Sequence, residues 1–402
     1  MKRSCGKGSR RGRREFFALS LGLASTVACK KTDTSSEAGA DMRPYGERSP
    51  FEKTERALRE LTKSPGDGSS RTPLQDLYGT ITPSSLHYER HHAGVPEIDP
   101  AEHRLLIHGL VSKPLSFSLD DLKRFPSISR THFLECSGNS VGDLNGNPPP
   151  TVQASHGLLS CSEWTGVSLG LVLREVGVLP EAQWMIAEGA DACRMARSIP
   201  VEKALDDALL VYGQNGEALR PEQGYPLRLL LPGWEGNANV KWLRRLELAT
   251  SPAMSVKETA YYTDLMPDGR SRQFSFVMDA RSVITQPSGG HMLNGPGFHE
   301  ISGLAWSASG KIARVEVSTD GGKTWADAEL QTPVLSKSAT RFRYPWRWDG
   351  QAATLQSRCI DESGYLQPTH EEFLATYGRH IGYHYHAIKS WYVKPSGEVK
   401  HV

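Results

Sequence analysis

Long apolar runs are missing. No stretch of 18 uncharged apolar residues occurs in the 402-residue chain, which excludes a polytopic helical membrane protein. Cysteine is scarce, with six in all. None of them falls in a CxxC or CxxCH pair, which disfavours zinc ribbons, iron–sulfur clusters, thioredoxin chemistry and covalent haem. GxGxxG and the phosphate loop are absent as well, so no nucleotide cofactor is expected. Charge of one sign is also lacking: 47 Lys+Arg against 45 Asp+Glu give +2. Residues 1–29 hold seven of those basic residues and one acid, leaving 40 basic and 44 acidic, a net of −4. That balance gives nucleic-acid binding no support. Apolar residues make up 38%, and aromatic and β-branched residues recur along most of the chain, so disorder throughout is excluded.

What is present begins with an address. A basic N-terminus turns apolar from Phe16 to Ala28, too short to span a bilayer and right for the core of an export signal. Arg13-Arg14-Glu15-Phe16-Phe17 resembles a twin-arginine signal, so residues 1–29 are expected to be removed and the rest to be periplasmic. Thr26-Val27-Ala28-Cys29 loosely resembles a lipoprotein cleavage site and leaves lipid anchoring at Cys29 open.

Residues 30–71 are polar and rich in Ser, Glu, Lys and Gly. They read as a flexible spacer with at most one short helix near Thr54–Leu61. The ordered body is expected from Thr72, in two domains, 72–272 and 273–402. In the first, short strands alternate with helix-like stretches. Arg104–Val111 reads as a strand, Ser118–Phe125 as a helix with Ser118 and Asp121 in a capping box, and Pro226–Leu231 as a buried strand. No regular βαβ repeat appears, so the pattern is α+β. In the second domain, Ile301–Trp306 and Lys311–Ser318 alternate apolar and polar residues, and Asp320-Gly321-Gly322 marks a hairpin. This predicts a β-sandwich.

Cysteine chemistry is left open by the residues alone. Cys161, Cys193 and Cys359 read as buried thiols or, in an oxidising compartment, as disulfide partners. Cys136 ends an apolar run and enters Ser137-Gly138-Asn139, a turn that can present a side chain. It is an inert thiol, a nucleophile or a soft-metal ligand.

Phe133-Leu-Glu-Cys-Ser-Gly-Asn139 resembles the molybdenum-binding signature of the sulfite oxidase family. Tyr88-Glu-Arg-His-His92, Gln223-Gly-Tyr-Pro-Leu-Arg228, Asn239-Val-Lys-Trp-Leu-Arg244 and Trp346-Arg-Trp348 resemble further family segments in the family's order, over residues 72–402. Within the family, Thr72–Leu77, Glu89–Pro96, His108–Leu110 and Ser160–Gly166 look most like the molybdenum subunit of sulfane dehydrogenase (SoxC-type). The resemblance implies a mixed α/β molybdopterin-binding domain followed by an immunoglobulin-like dimerisation domain.

It also implies a molybdenum–molybdopterin cofactor, with the Cys136 thiolate on the metal. Tyr88, Glu89, Arg90, His91, His92, Asp191, Arg228, Asn239, Val240 and Lys241 correspond to cofactor-binding segments, Arg228 and Lys241 being natural cationic partners of a phosphate. Arg90, Trp164, Tyr262 and Arg347 correspond to the substrate pocket, Tyr262 by its spacing from Lys241. His384 and His386 receive no role.

Two positions depart from the family. Val141 stands where sulfite oxidases carry an Arg, five residues after the ligand Cys, and Gln223 stands where they carry a pterin-contacting His. Losing a cation favours a larger substrate over free sulfite. The resemblance therefore implies oxidation of sulfane sulfur bound to a carrier protein. Electrons would pass to a separate c-type cytochrome subunit, because no haem or flavin motif is present, and the sandwich would mediate a homodimer or hetero-oligomer. The alternatives are a sulfite dehydrogenase, a sulfoxide reductase, and a surface lipoprotein with a structural Cys136. The Gly- and Pro-rich segment Val141–Pro150 is expected to form a rigid loop near the pocket.

Overall fold

The computed structural model describes residues 42–60 and 65–402. The expected export signal, residues 1–29, and Cys29 lie outside the described residues. The chain divides into two units, Met1–Glu52 and Lys53–Val402. In the first, residues 42–52 carry only turns and bends. All further description concerns the second.

This unit starts earlier than the composition suggests. Strands Ala57–Glu60 and Gly68–Arg71 pair antiparallel, and Glu89–His91 adds a third strand. The segment expected as spacer up to residue 71, with a helix near Thr54–Leu61, therefore ends in a hairpin. Leu58 is exposed there, so no apolar periodicity signals the strand. Backbone pairing and the buried Ser70 hydroxyl, which accepts the Glu89 N–H at 2.9 Å, hold it.

Two sheets follow. One orders Leu115–Phe117, Leu105–Gly109, Leu243–Ala249, Trp184–Gly189 and Ala196–Pro200, with Leu243–Ala249 parallel to Leu105–Gly109. The other orders Glu217–Ala218, Leu209–Gln214, Leu159–Ser168 and Ser127–Glu135, with Arg228–Leu230 on Leu209–Gln214. Leu105, Ile107, Val172, Leu210, Leu229 and Leu246 form a shared core. Helix Leu169–Val176 buries Leu169, Val172, Leu173 and Val176 and stops at Gly177, whose φ of 68° suits glycine. Ser118 and Asp121 form their capping box over the single turn Leu119–Leu122.

The C-terminal half is an antiparallel sandwich. One sheet holds Arg281–Gln286, Gly297–Trp306, Thr340–Trp348 and Glu329–Leu330. The facing one holds Ala326–Asp327, Ile312–Ser318, Ala353–Asp361, Ser390–Val393 and Val399–His401. Trp306, Val315, Phe342, Leu355, Cys359 and Trp391 fill its interior. The same apolar cluster continues through Ile284 into Leu74, Phe133, Val152 and Leu159, so the two halves share one core. Among the described residues no helix is long and apolar enough to cross a membrane.

Candidate molybdopterin site

Strand Ser127–Glu135 ends at a turn that presents Cys136. The Cys136 N–H donates to the Leu158 carbonyl at 3.0 Å, and the Asn139 N–H closes the turn on the Cys136 carbonyl at 2.9 Å. Burial pushes the Cys136 thiol up, while the Gly138 amide and the Arg90 charge oppose that shift. Glu135, next in line and buried, anchors the turn. Its carboxylate accepts from Arg281 Nη1 at 2.6 Å, Asn139 Nδ2 at 2.8 Å and Trp306 Nε1 at 2.6 Å. Arg281 also donates to the Ser140 hydroxyl. The ligand turn is thereby tied to the sandwich.

A cavity opens beside Cys136. Three stretches of chain line it, Tyr88 with Arg90, His91 and His92, Asp191 with Met195, and Arg228 with Gly236, Asn237, Asn239, Val240 and Lys241, and Tyr262 joins them. Turn Gly236–Ala238 comes this close only because residue 236 is glycine. A Cβ there would stand 2.6 Å from Tyr88 Oη and 3.1 Å from the Glu135 carbonyl oxygen.

Cations dominate the lining. Lys241 Nζ donates to His91 Nδ1 at 2.9 Å and the Glu222 carbonyl at 3.0 Å. Burial, then the Arg228 charge, bring it down to about 7. Arg228 donates to the Gln223 and Asn239 carbonyls at 3.0 and 3.1 Å, and burial lowers it to about 10. His91 Nε2 meets Glu89 at 2.6 Å, so neutral His91 donates to Glu89 and accepts from Lys241. Arg90 Nη1 pairs with Asp67 Oδ1 at 2.6 Å. Asp191 accepts the Met195 N–H at 2.9 Å and the Cys193 thiol at 2.8 Å, and burial with that bond pushes Cys193 up to about 12.

Tyr262 has a φ of 51°, strained for a tyrosine. Two contacts hold it. The Arg197 guanidinium lies 5.0 Å from its ring centre, and its hydroxyl meets His92 Nε2 at 3.0 Å. Burial, then Arg90, push His92 down to about 3, and burial raises Tyr262 well above its ordinary value. The phenol therefore donates and the neutral imidazole accepts.

Three expected residues stand elsewhere. Glu89 sits behind the cavity, bonded to His91 and paired with Arg56. Trp164 is fully buried; its indole donates to the His132 carbonyl at 3.1 Å and its ring backs Arg228 at 5.1 Å. It supports the cavity wall instead of lining a substrate pocket. Arg347 is exposed, because strand alternation turns Trp346 and Trp348 inward and Arg347 out. It does not line the cavity. Segment Val141–Pro150 likewise stays out of the lining and starts with the short helix Val141–Leu144.

Sequence reasoning missed several residues. His87, Met195 and Asn237 line the cavity. His384, given no role, donates its N–H to the Ser137 carbonyl at 2.8 Å and faces Glu235 at 3.3 Å. Arg197 joins Glu235 and Glu258, each at 3.1 Å. Only the nearness of Asn237 to Asn239 in sequence offered a signal.

The cavity fits an anionic, multiply hydrogen-bonding group. Arg228 Nε is a buried donor without a partner, and His87 Nε2 and Asn237 Oδ1 are buried acceptors without one. Donors and acceptors of this kind suit a phosphate and the edge of a pterin. Among the described residues no cluster of three or more His, Cys, Asp or Glu could hold a metal ion, so a single thiolate with ligands from the cofactor itself is the arrangement on offer. All four cysteines of the unit are free.

Residues 92–257 match the model of the oxidoreductase molybdopterin binding domain, and residues 272–390 that of the Mo-co oxidoreductase dimerisation domain. The sulfite oxidase of Gallus gallus is 34% identical over 316 residues, covering 72% of this chain and 68% of its own length. The chain belongs to the sulfite oxidase family. As such it is a molybdopterin oxidoreductase, and the cavity beside Cys136 has the lining its cofactor needs. The crystal structure of the sulfane dehydrogenase SoxCD from Paracoccus pantotrophus superposes with a TM-score of 0.89 at 46% identity, covering 95% of this chain and 99% of that one. Mitochondrial sulfite oxidase from Mus musculus is 31% identical, and the NADH nitrate reductase of Ulva prolifera 32%. The alignments cover 72% and 75% of this chain but only 58% and 39% of those relatives.

Proposed function

We propose that this family member oxidises sulfane sulfur carried on a partner protein and hands the electrons to a c-type cytochrome. One observation carries the choice of substrate. Of the three positions at which the family's resemblance implies arginines around a free dianion, only Arg90 lines the cavity, since Arg347 is exposed and does not line it and position 141 is Val. The likeness to a sulfane dehydrogenase supports the same reading.

When bound, molybdenum–molybdopterin supplies oxygen-atom transfer and takes up the electrons that leave sulfur. The chain's own residues do the rest. Cys136 would hold the metal as a thiolate, which the Gly138 amide and Arg90 help to ionise. Arg228 and Lys241 would hold the anionic part of the cofactor. Arg90 orients an oxyanion of the substrate. The neutral Tyr262 phenol donates its one proton in a hydrogen bond to neutral His92, which fixes the ring at the cavity and leaves the hydroxyl oxygen able to accept from the reacting group. The absence of haem and flavin motifs supports a separate cytochrome. The twin-arginine-like segment supports export to the periplasm, with lipid anchoring at Cys29 a variant of the same proposal.

The test is turnover by the full chain, purified with its cofactor, on a persulfidated carrier and on sulfite. The expected result is faster turnover of the carrier per unit concentration. Preferential turnover of sulfite would make the enzyme a sulfite dehydrogenase. Molybdenum analysis is expected to give about one atom per chain, lost in Cys136→Ser.

A further inference from the structure

The N-terminal hairpin contributes a charge to this site that no motif signals. Register pairs Ser69 with Arg90 and Gly68 with His91, which sets Asp67 beside the Arg90 guanidinium. The tip is pinned by backbone: the Gly94 N–H donates to the Gly66 carbonyl at 3.0 Å, and a Cβ on Gly66 would stand 2.5 Å from the Gly94 nitrogen. Asp67 is 9% exposed, and its Oδ1 accepts from Arg90 Nη1 at 2.6 Å. Arg90 Nη1 also reaches the Gly68 and His91 carbonyls. All three bonds use Nη1, so the Nε–Nη2 edge stays available to a ligand in the cavity that Arg90 lines.

The consequence is electrostatic. A carboxylate in contact with the Arg90 guanidinium cancels most of that side chain's net charge as felt from the cavity. Because attraction by Arg90 and repulsion by Asp67 both scale with ligand charge, the pair gives the second charge of a free dianion such as sulfite little added attraction to offset the cost of desolvating it. Sulfur attached to a carrier sulfur has one position for negative charge, and its oxygenated forms keep a single charge. Directional hydrogen bonding from Arg90 survives, while its attraction for a second charge does not.

We propose that Asp67 is the specificity-determining residue of this site, paired with Arg90 so that singly charged, carrier-bound sulfur is accepted and free dianions are disfavoured. This rests on the proposed substrate, but its test does not. Calorimetric titration of the cofactor-loaded full chain compares methanesulfonate, a singly charged oxyanion, with sulfate, its doubly charged counterpart. Wild type is expected to favour methanesulfonate. Asp67→Asn keeps an acceptor for Arg90 and removes the charge. It is expected to raise sulfate affinity at least about ten-fold and to lower the KM for sulfite similarly. Asp67→Glu should stay near wild type. Tighter sulfate than methanesulfonate binding by wild type would overturn the proposal, and this arm needs no variant to fold. So would an Asp67→Asn enzyme within two-fold of wild type while Asp67→Ala alone changes, since Asp67 would then be only a clamp on Arg90. Failure of wild type to turn over a persulfidated carrier would sink the proposed substrate and leave the anion preference standing.

Discussion

Replacing Glu135 tests how the sandwich supports the molybdenum ligand. Glu135 and Arg281 are both buried, 1% and 2% exposed, and the carboxylate receives three bonds of 2.6 to 2.8 Å. Glu135→Gln keeps the shape and one amide acceptor but removes the negative charge facing Arg281, whose other hydrogen-bond neighbours, Ser140 and His156, are neutral. Breaking a buried pair on one side costs about 3–5 kcal/mol. At roughly 2 cal/mol/K of unfolding entropy per residue, a unit of about 350 residues would melt roughly 4–7 °C lower. Glu135→Ala should cost more, because Trp306 Nε1 also loses its acceptor. Scanning calorimetry without cofactor measures the shift. A cycle with Arg281→Met isolates the pair, and the double variant should recover much of the loss. A Glu135→Gln protein melting within about 1 °C of wild type would refute the reasoning, since a buried guanidinium cannot lose its counter-charge at so little cost.

Gly236→Ala forces a methyl against Tyr88 Oη and the Glu135 carbonyl. The expected cost is about 1–3 kcal/mol, with reduced molybdenum content by mass spectrometry, because the turn must withdraw from Cys136. Lys241 gives a pH signature. Its ordinary value of 10.5 falls to about 7 on folding, so between these values the unfolded chain binds the extra proton. Its contribution thus makes the cofactor-free protein more stable as pH rises through that window. Lys241→Met should flatten the rise in melting temperature, and an unchanged profile would show that Lys241 is not the group responsible.

Local chemistry made part of this molecule legible. The Cys136 turn and the segments at 88–92, 223–228 and 239–244 announce themselves because each packs its functional atoms into a few consecutive residues. Alternation of apolar and polar residues revealed the strands at Ile301–Trp306 and Lys311–Ser318, although Ile301–Trp306 is buried on both faces. The hairpin at 57–71 stayed hidden, since a Ser- and Gly-rich strand held by backbone bonds has no apolar period. Trp164 and Arg347 were misplaced because motif membership does not say which way a side chain points. Arg281, Arg197 and His384 act on partners from 38 to 247 residues away in the chain, and nothing local marks such contacts.

The tie between Ser137 and His384 has a consequence for biosynthesis. The Ser137 carbonyl accepts from the His384 N–H, and the Ser140 hydroxyl donates to the Tyr385 carbonyl at 3.1 Å. These bonds brace the turn that follows Cys136, yet the Tyr385 carbonyl lies 245 residues after the hydroxyl that donates to it, with His384 just before it. A nascent chain that has emerged only as far as Trp242 owns every lining residue of the cavity except Tyr262, but not the brace on its metal-binding turn. A settled metal-binding turn therefore requires residues 384 and 385 to have been made. A chain cut short before His384 forfeits that brace.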